Sequence, residues 1–382
     1  MIYMDNAASS WPKPEGVWLA MEKNIRNVGA NPSRGAHRLA LEAGRALYQA
    51  REKVAEFFGA PDPTGVVFTH NATAALNQAI KGYLHPGDHV VTTSMEHNSV
   101  IRPLRSMARR GVEVTVVQCD GEGFIRPEDL KKAVRPNTRM IALTHASNVT
   151  GTLMPAGEAV DIARQGEAIL LLDVAQTAGL LPFSLHELQA DMIAFPGHKG
   201  LLGPQGTGGL YIRPGLVLEP LLEGGTGSHS ELEYQPDVLP DRYESGTPNT
   251  VGLAGLAAGI DFIRQVGADE IRRHEADLTA HFLEELKNIP GVKVYGPRDT
   301  AQRVGVVSLN LGDIGSSEVG FMLDRVYDIA VRTGLHCSPL AHQTLGTVRQ
   351  GTVRFSFSFF NTHEEVSEAV KALRAIGREF LG

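Results

Sequence analysis

Short apolar segments alternate with longer segments of helical periodicity between residues 66 and 212. Residues 66–69 precede a helical pattern over 72–83, and residues 140–143 precede another over 156–165. The short segments are apolar at every position rather than at every second one, as expected of strands that are covered by helices on both faces. This alternation predicts an α/β fold with a mostly parallel, doubly wound sheet.

The alternation stops after residue 250, where long helical segments lead into a smaller set of strands. A chain of 382 residues is also too long for one small hydrophobic core. We therefore predict an N-terminal arm over residues 1–14, a large α/β domain over 15–250 that carries the main binding site, and a small α+β domain over 251–382.

The composition is that of an ordinary globular protein, with 42% hydrophobic residues, 21% charged residues and a net charge of −7. A chain without a basic surplus is a poor partner for nucleic acid or an anionic membrane. No apolar segment reaches the ~18 residues that a membrane span needs, and the first residues lack the pattern of a signal peptide. The two cysteines are too few for a disulfide framework, so we expect free thiols and a cytoplasmic location.

Lys199 lies in a turn that follows an apolar segment and precedes a glycine-rich run. Most lysines in such turns are solvated surface residues. A lysine whose pKa is lowered by burial or by a cationic neighbour can instead condense with a carbonyl group. Asp173 ends another apolar segment, and a lysine for a Schiff base with an acid for a pyridinium nitrogen is the pair that pyridoxal phosphate (PLP) requires. The sequence therefore predicts PLP as the cofactor.

Polar residues follow several of the predicted strands, and ligands of open α/β sheets bind beyond the carboxyl ends of the strands. Ala72 and Thr73 open a helix whose free N–H groups suit a phosphate, although Asn71 or Thr73 could equally serve as a helix cap. The other candidates are His97 for ring stacking and proton transfer, Asn148 for the ring oxygen or a substrate carboxylate, Gln176 for the ring hydroxyl, and His198 for the phosphate.

Cys337 lies in a loop that contains glycine and proline, beside His336 and near Arg332. Cationic neighbours lower the pKa of a thiol and populate the nucleophilic thiolate. Cys119 lies in an apolar segment, and we expect it to be buried and inert. Arg354 is a charge within an apolar strand, which needs an anionic partner such as a substrate carboxylate.

We expect no metal site and no nucleotide site. The chain has 14 histidines, and His85 and His89 have the spacing His-x-x-x-His, but no Cys-x-x-Cys spacing accompanies them. The glycine-containing run over 200–204 lacks the Lys-Ser/Thr ending of a phosphate-binding P-loop.

The motifs resemble those of the class V aminotransferase family of fold-type-I PLP enzymes, and within it the cysteine desulfurase and selenocysteine lyase group. The resemblance extends from Tyr3 to Thr362. Its most specific segments are Asp-Val-Ala-Gln at 173–176, Gly-His-Lys at 197–199, and Arg-Thr-Gly-Leu-His-Cys at 332–337, which is similar to the cysteine loop of the sulfur-mobilising type.

The resemblance implies a cysteine desulfurase that converts L-cysteine to L-alanine and carries the sulfur as a persulfide on Cys337. It also implies a homodimer, because Gly246 and Thr247 would reach the phosphate bound in the neighbouring subunit, and a possible sulfur-acceptor protein. The remaining implied roles are Lys199 as the Schiff-base lysine, His97 in ring stacking and proton transfer, Ala72, Thr73 and His198 at the phosphate, Asn148, Arg332 and Arg354 at the amino acid, and Asn31, Arg34 and His37 near the substrate entrance.

Two positions depart from the pattern of the family. Pro196 stands where a phosphate-binding Ser or Thr is usual, and Leu335 stands where the sulfur-mobilising enzymes often have His. The segment 339–346 has no close match. The alternatives that remain are a selenocysteine lyase or other C–S lyase, a class V aminotransferase, and a PLP-binding regulatory protein without turnover.

Overall fold

The computed structural model describes residues 1–32, 35 and 37–381. Its strands are β1 (Ile2–Tyr3), β2 (Val66–Thr69), β3 (His89–Thr93), β4 (Glu113–Val117), β5 (Thr138–Thr144), β6 (Ile169–Asp173), β7 (Met192–Pro196), β8 (Gly208–Ile212), β9 (Val292–Tyr295), β10 (Val306–Leu311), β11 (Ile329–Ala330), β12 (Arg332–Gly334) and β13 (Thr352–Ser356). Its helices are α1 (Glu15–Asn27), α2 (Arg38–Phe58), α3 (Ala72–Tyr83), α4 (Asn98–Ala108), α5 (Pro127–Ala133), α6 (Ala156–Gln165), α7 (Leu185–Leu188), α8 (Thr250–Val266), α9 (Ala268–Leu286), α10 (Ser316–Tyr327), α11 (Pro339–Leu345) and α12 (His363–Leu381).

Within the described residues, a seven-stranded sheet has the strand order β2-β8-β7-β6-β5-β3-β4. Neighbouring strands are parallel except at β8, which runs antiparallel to β2 and β7. The described segment 197–207 between β7 and β8 contains no helix, and a connection this short cannot make the crossover that parallel strands need. The predicted α/β fold with a mostly parallel sheet is confirmed.

The strands of this sheet are apolar throughout because both faces are covered. On β5, Ile141 belongs to a core shared with α2, α6 and α8, whereas the adjacent Met140 and Ala142 belong to a core shared with α3 and α4. A buried side chain of the size of Ile141 or Met140 stabilises the fold by about 1.5–3 kcal/mol. The side-chain alternation of a strand therefore supplies both cores from one apolar segment.

A four-stranded antiparallel sheet, in the order β12-β13-β10-β9, follows in the later part of the described chain. Its core includes residues of α9, α10 and α12. The N-terminal arm reaches this region, because β1 pairs with β11 and Asp5 bridges to Ser356. Helix α8 contributes Leu253 and Leu256 to the core of the larger sheet, and the predicted domain division at residues 250 and 251 stays a prediction.

Taken singly, each described helix is too short or too polar to cross a membrane. Helices α8 and α9 pass that test only as a pair, with a bend of 81° between them.

Glu275 is a buried carboxyl group on α9. It is 2% exposed and lines a cavity of about 30 Å³, together with Lys199 and Gly305. Among the residues described, none forms a hydrogen bond with its carboxyl oxygens. Burial raises the pKa of Glu275 to about 8, against the opposing charge of Arg272, so the group is largely neutral at pH 7.

Replacing Glu275 with glutamine should make the protein more stable than the wild type in alkali. A carboxyl whose pKa is raised on folding contributes its stabilisation in acid and loses it as the pH rises through about 8. Glutamine cannot ionise, so the difference in unfolding free energy should grow from near zero below pH ~4 to a few kcal/mol above pH ~8. Denaturant unfolding of both proteins across this range measures it. Burial also raises the pKa of Glu96 to about 8, but both proteins contain Glu96, so its contribution cancels in the difference between their unfolding free energies. A difference that does not change with pH would contradict the prediction.

Candidate active site

A cavity of about 200 Å³ lies at the carboxyl ends of the parallel strands. The strands β3, β5, β6 and β7 end there because parallel strands present their carboxyl ends at the same edge of a sheet. The predicted site residues that line it are Ala72, Thr73, His97, Asn148, Asp173, Gln176, His198, Lys199, Arg332 and Arg354. The structure therefore brings together groups that are as far apart in sequence as residues 72 and 354.

Lys199 occupies the turn after β7, where its side chain borders the cavity. Burial lowers the pKa of its ammonium group to about 8, and the charges of Arg354 and Arg332 act in the same direction, whereas Asp173 opposes them. The free amine, which is the nucleophilic form, is therefore a far larger fraction near neutral pH than for a lysine in water. Among the residues described, no hydrogen-bond partner holds the Nζ atom.

Asp173 is the last residue of β6 and is 4% exposed. Its Oδ1 atom accepts a hydrogen bond of 2.9 Å from the backbone N–H of Ala175. Burial raises the pKa of Asp173, and Lys199 partly opposes the shift. A protonated ring nitrogen beside this carboxyl group would supply the positive charge that its burial leaves it without.

The N-terminus of α3 faces the same cavity through Ala72 and Thr73. Asn71 is the cap of this helix, since its Oδ1 atom accepts a hydrogen bond of 2.9 Å from the N–H of Ala74. The Thr73 hydroxyl instead shares a hydrogen bond of 2.7 Å with Ser99. The first N–H groups of the helix remain available for an anion such as a phosphate.

His97 caps helix α4 as well as lining the cavity. Its Nδ1 atom accepts a hydrogen bond of 3.0 Å from the N–H of Ser99, so the proton of the neutral ring is on Nε2. Burial lowers the pKa of His97 to about 4, with further contributions from Lys199 and Arg332. The imidazole is therefore neutral and fixed in one tautomer. The sequence did not reveal that His97 also caps a helix.

His198 has a buried Nδ1 atom without a hydrogen-bond partner in the described part of the chain. Burial lowers the pKa of its ring to about 4. The N-terminal arm holds the backbone here, because Lys13 Nζ donates to the carbonyl of His198 at 2.9 Å and Ser10 Oγ donates to that of Lys199 at 2.9 Å. Pro196, which departs from the family pattern, ends β7 and also lines the cavity.

The side-chain amides of Gln176 and Asn148 are engaged within the protein. Gln176 Nε2 donates to the carbonyl of Ala7 at 3.1 Å. Asn148 Nδ2 donates to the carbonyl of His336 at 2.7 Å, and its Oδ1 accepts from Ser338 Oγ at 2.7 Å. Asn148 therefore connects the cavity to the loop that carries the predicted nucleophile.

Arg354 has an anionic partner inside the chain. Its Nη2 atom donates to Asp5 Oδ1 at 2.8 Å, and its Nη1 atom donates to the carbonyl of Asn148 at 3.0 Å. Its Nε atom is buried and has no partner among residues 1–32, 35 and 37–381. The sequence indicated that Arg354 needed an anion but did not identify Asp5, although this residue lies in the first segment of the family resemblance.

Cys337 is exposed at the start of the segment that leads into α11. Arg332 Nη2 lies 3.7 Å from its Sγ atom. The segment 339–346, which had no close match, forms α11 with Gly346 at its C-cap. Cys119 is 8% exposed, and burial raises the pKa of its thiol to about 11, as expected of an inert cysteine.

Gly246 and Thr247 lie apart from this cavity. They line a different cavity of about 400 Å³ together with His70 and Leu222. His37, predicted near the substrate entrance, caps α2 by accepting from the N–H of Ala40 at 3.3 Å. Arg34 lies outside the described residues. In the part of the chain that the structure describes, no group of three His, Cys, Asp or Glu residues is arranged to hold a metal.

The groups around the cavity of about 200 Å³ fit PLP. The Lys199 amine and the His198 Nδ1 atom have no hydrogen-bond partner within the described residues, and the buried carboxyl group of Asp173 has a raised pKa in spite of its one backbone hydrogen bond. An aldehyde carbon, a phosphate and a pyridinium N–H are the groups that would complete them. The helix N-terminus at Ala72 is a second phosphate ligand of the right kind.

Comparisons with known proteins agree with this arrangement. The family model for class-V aminotransferases matches residues 2–369. A probable cysteine desulfurase from Methanothermobacter thermautotrophicus is 37% identical over 381 residues, which cover 98% of this chain and 94% of that protein. A cysteine desulfurase from Pectobacterium atrosepticum is 35% identical over 388 residues, which cover 99% and 93% of the two chains.

Solved structures show the same similarity. The apo structure of a cysteine desulfurase from Thermococcus onnurineus NA1 has a TM-score of 0.92 at 36% identity, and the match covers 99% of this chain and 95% of that one. A cysteine desulfurase from Escherichia coli in an S-sulfonic acid form has a TM-score of 0.89 at 28% identity, with 99% and 94% covered. The family resemblance of the motifs is confirmed, and the chain belongs to the class-V aminotransferase family of PLP-dependent enzymes.

Proposed function

We propose that this chain is a cysteine desulfurase, which releases L-alanine from L-cysteine and receives the sulfur as a persulfide on Cys337. The observation that carries this proposal is the guanidinium group of Arg332, which lies 3.7 Å from the Cys337 thiol and also lines the cavity of Lys199 and Asp173. The names of the similar proteins, at 35–37% identity over almost the whole chain, support it.

PLP would be held by Asp173 at its ring nitrogen, by Ala72, Thr73 and His198 at its phosphate, and by Gln176 near its ring hydroxyl. When bound, PLP supplies an electron sink that acidifies the Cα–H bond of an attached amino acid. Lys199 is the point of covalent attachment. Once released, its amine accepts the Cα proton, for which a pKa near 8 is suitable.

His97 is proposed to lie against the cofactor ring and to assist in proton transfer. The Ser99 hydrogen bond orients the imidazole, and the neutral ring carries its proton on Nε2. The Nε2–H group is therefore the one available for proton transfer, because Nδ1 is engaged by the N–H of Ser99.

Arg354, with Arg332 and the Asn148 amide, is proposed to bind the substrate carboxylate. The Nε atom of Arg354 is free of partners in the described chain, and its Nη2 atom is bound to the carboxylate of Asp5. A substrate carboxylate would therefore compete with Asp5 for Arg354, and Asp5 fills the anion position when no substrate is present.

Cys337 supplies the nucleophile. Its thiolate attacks the sulfur of L-cysteine, the S–S bond forms as the C–S bond breaks, and the carbon keeps the electron pair and takes up a proton. Sulfur is oxidised to the persulfide level while carbon is reduced to a methyl group, so no external oxidant or reductant is needed. Arg332 Nη2, at 3.7 Å from the sulfur, places a cationic hydrogen-bond donor beside the nucleophile.

Incubation of the PLP-loaded protein with L-cysteine or L-selenocysteine tests the proposal. We expect alanine from L-cysteine and a Cys337 peptide that is heavier by one sulfur atom. Alanine from selenocysteine alone would indicate a selenocysteine lyase. A requirement for a 2-oxo acid would indicate an aminotransferase, and bound PLP without any turnover would indicate a regulatory protein.

We also infer a homodimer in the cytoplasm that passes sulfur to an acceptor protein. The position of Gly246 and Thr247 away from the cavity of their own subunit supports a role in a neighbouring one. The exposure of Cys337 supports access by an acceptor, and two free cysteines suit a reducing compartment. Sedimentation of the purified protein as a monomer would contradict the dimer.

A further inference from the structure

The loop that carries Cys337 has an unusual backbone. His336 and Cys337 adopt φ angles of +48° and +59°, in the left-handed region where a non-glycine residue is strained. Two such residues in succession need contacts from outside the loop to hold them. Two of these contacts come from Asn148, which follows β5 and also borders the cavity of Lys199.

Asn148 and Ser338 bind the loop on both sides of Cys337. Asn148 Nδ2 donates to the carbonyl of His336 at 2.7 Å, and Ser338 Oγ donates to Asn148 Oδ1 at 2.7 Å. One amide thus uses one of its two N–H donors and its oxygen on the residues before and after the thiol, which leaves the second Nδ2 hydrogen for a substrate. Asn148, Ser338 and His336 are 7%, 0% and 3% exposed, so these hydrogen bonds are shielded from water and are strong.

Further contacts restrain the same backbone. The N–H of Asn98 donates to the carbonyl of Cys337 at 2.8 Å, and the N–H of Ser338 donates to that of Leu335 at 2.9 Å. His336 Nε2 and Thr352 Oγ1 are 2.8 Å apart. The loop is therefore fixed at its backbone on every side, while the Cys337 side chain is exposed.

We propose that Asn148 and Ser338 form a clasp that holds Cys337 in its left-handed conformation, and that Ser338 is a positioning residue for sulfur transfer. The clasp keeps the thiol beside Arg332. It also connects the loop to the cofactor cavity, because Asn148 lines that cavity. Sulfur therefore leaves from a fixed thiol, and the acceptor must come to Cys337. This proposal rests on the proposed role of Cys337 as the nucleophile.

Replacing Ser338 with alanine tests the clasp in the PLP-loaded protein. We expect amide hydrogen exchange in residues 335–338 to become about 3- to 10-fold faster, as for the loss of one hydrogen bond. The rate of persulfide formation on Cys337 should fall by a similar factor without a change in the KM for L-cysteine. The visible absorbance of the cofactor should not change, because Ser338 does not line its cavity.

Two further variants show whether the effect belongs to the hydroxyl of Ser338. Thr344 lies on α11, the helix that begins directly after Ser338 in the chain, and its hydroxyl lies 2.9 Å from Ser94 Oγ and 3.1 Å from the carbonyl of Leu340, outside the clasp. We expect Thr344→Ala to behave like the wild type in both measurements. Ser338→Thr keeps a hydroxyl and should restore slow exchange and fast persulfide formation.

The proposal is overturned if Ser338→Ala leaves the exchange of residues 335–338 unchanged, or if it loosens this segment without slowing persulfide formation. Failure of the proposed function gives a different result, because then the wild type itself forms no persulfide from L-cysteine. That result would also overturn the positioning role of Ser338, and the exchange rates would still show whether the hydroxyl holds the loop.

Discussion

Replacing Cys337 with alanine will abolish the persulfide and slow alanine formation from L-cysteine by on the order of 10²-fold or more, as for the loss of other catalytic nucleophiles. The reason is the position of the thiol, which is exposed and 3.7 Å from Arg332. Cofactor binding should survive, because Cys337 does not line the cavity of Lys199 among the described residues. Alanine release under multiple turnover and the mass of the residue-337 peptide provide the measurement.

Cys119 offers a matched control. Its thiol is 8% exposed and burial raises its pKa to about 11, so it carries almost no thiolate at neutral pH. Cys119→Ala should keep both the persulfide and the rate of alanine formation. Turnover of L-cysteine by Cys337→Ala at the wild-type rate would show that the sulfur leaves without a protein thiol.

Replacing Lys199 with alanine will remove the covalent link to PLP and the colour that depends on it. It should also slow alanine formation roughly 10²–10⁴-fold, the range for loss of a general base, because no other amine borders the cavity in the described chain. Absorbance of the purified variant, and borohydride reduction followed by peptide mass analysis, measure the link.

Lys13 is a control that shows whether the position of Lys199, rather than its lowered pKa, determines attachment of the cofactor. Burial lowers its pKa to about 8, as for Lys199, but its Nζ atom is bound to Ser10 Oγ at 2.7 Å and to the carbonyl of His198 at 2.9 Å. Lys13→Ala should keep the colour of the cofactor. A borohydride-reduced cofactor on the Lys13 peptide of the wild type would contradict the assignment to Lys199.

The sequence predicted the larger sheet well because hydrophobic periodicity is a local signal. Segments such as 140–143 are apolar at every position, and the structure has a hydrophobic core on each face of the sheet to bury them. The reversal of β8 was not visible, since it depends on the length of its connection to β7, which the apolar pattern does not define. Helix α11 could have been recognised, because Pro339 begins it and Gly346 ends it, as is typical of short helices.

The residues at strand ends were also predictable as a group. The topology of the sheet brings Asp173 and Lys199 to one edge, and this does not depend on the conformation of the loops that follow the strands. Their hydrogen bonds were not predictable. The cap made by His97 and the engagement of the Asn148 amide depend on loop conformations that have no periodic signal. The pairing of Asp5 with Arg354 joins residues that are 349 positions apart, beyond the reach of any local pattern.

This pairing has a consequence for the order in which the enzyme matures during synthesis. Asp5 leaves the ribosome 349 residues ahead of Arg354, which at about 5–20 residues per second is a delay of roughly 20–70 s. The strand of the N-terminal arm likewise pairs with β11, and Asp5 bridges to Ser356. Ser10 and Lys13 can bind the backbone of residues 198 and 199 as soon as these are made, whereas β1 and Asp5 acquire the partners described here only after translation has passed residue 356.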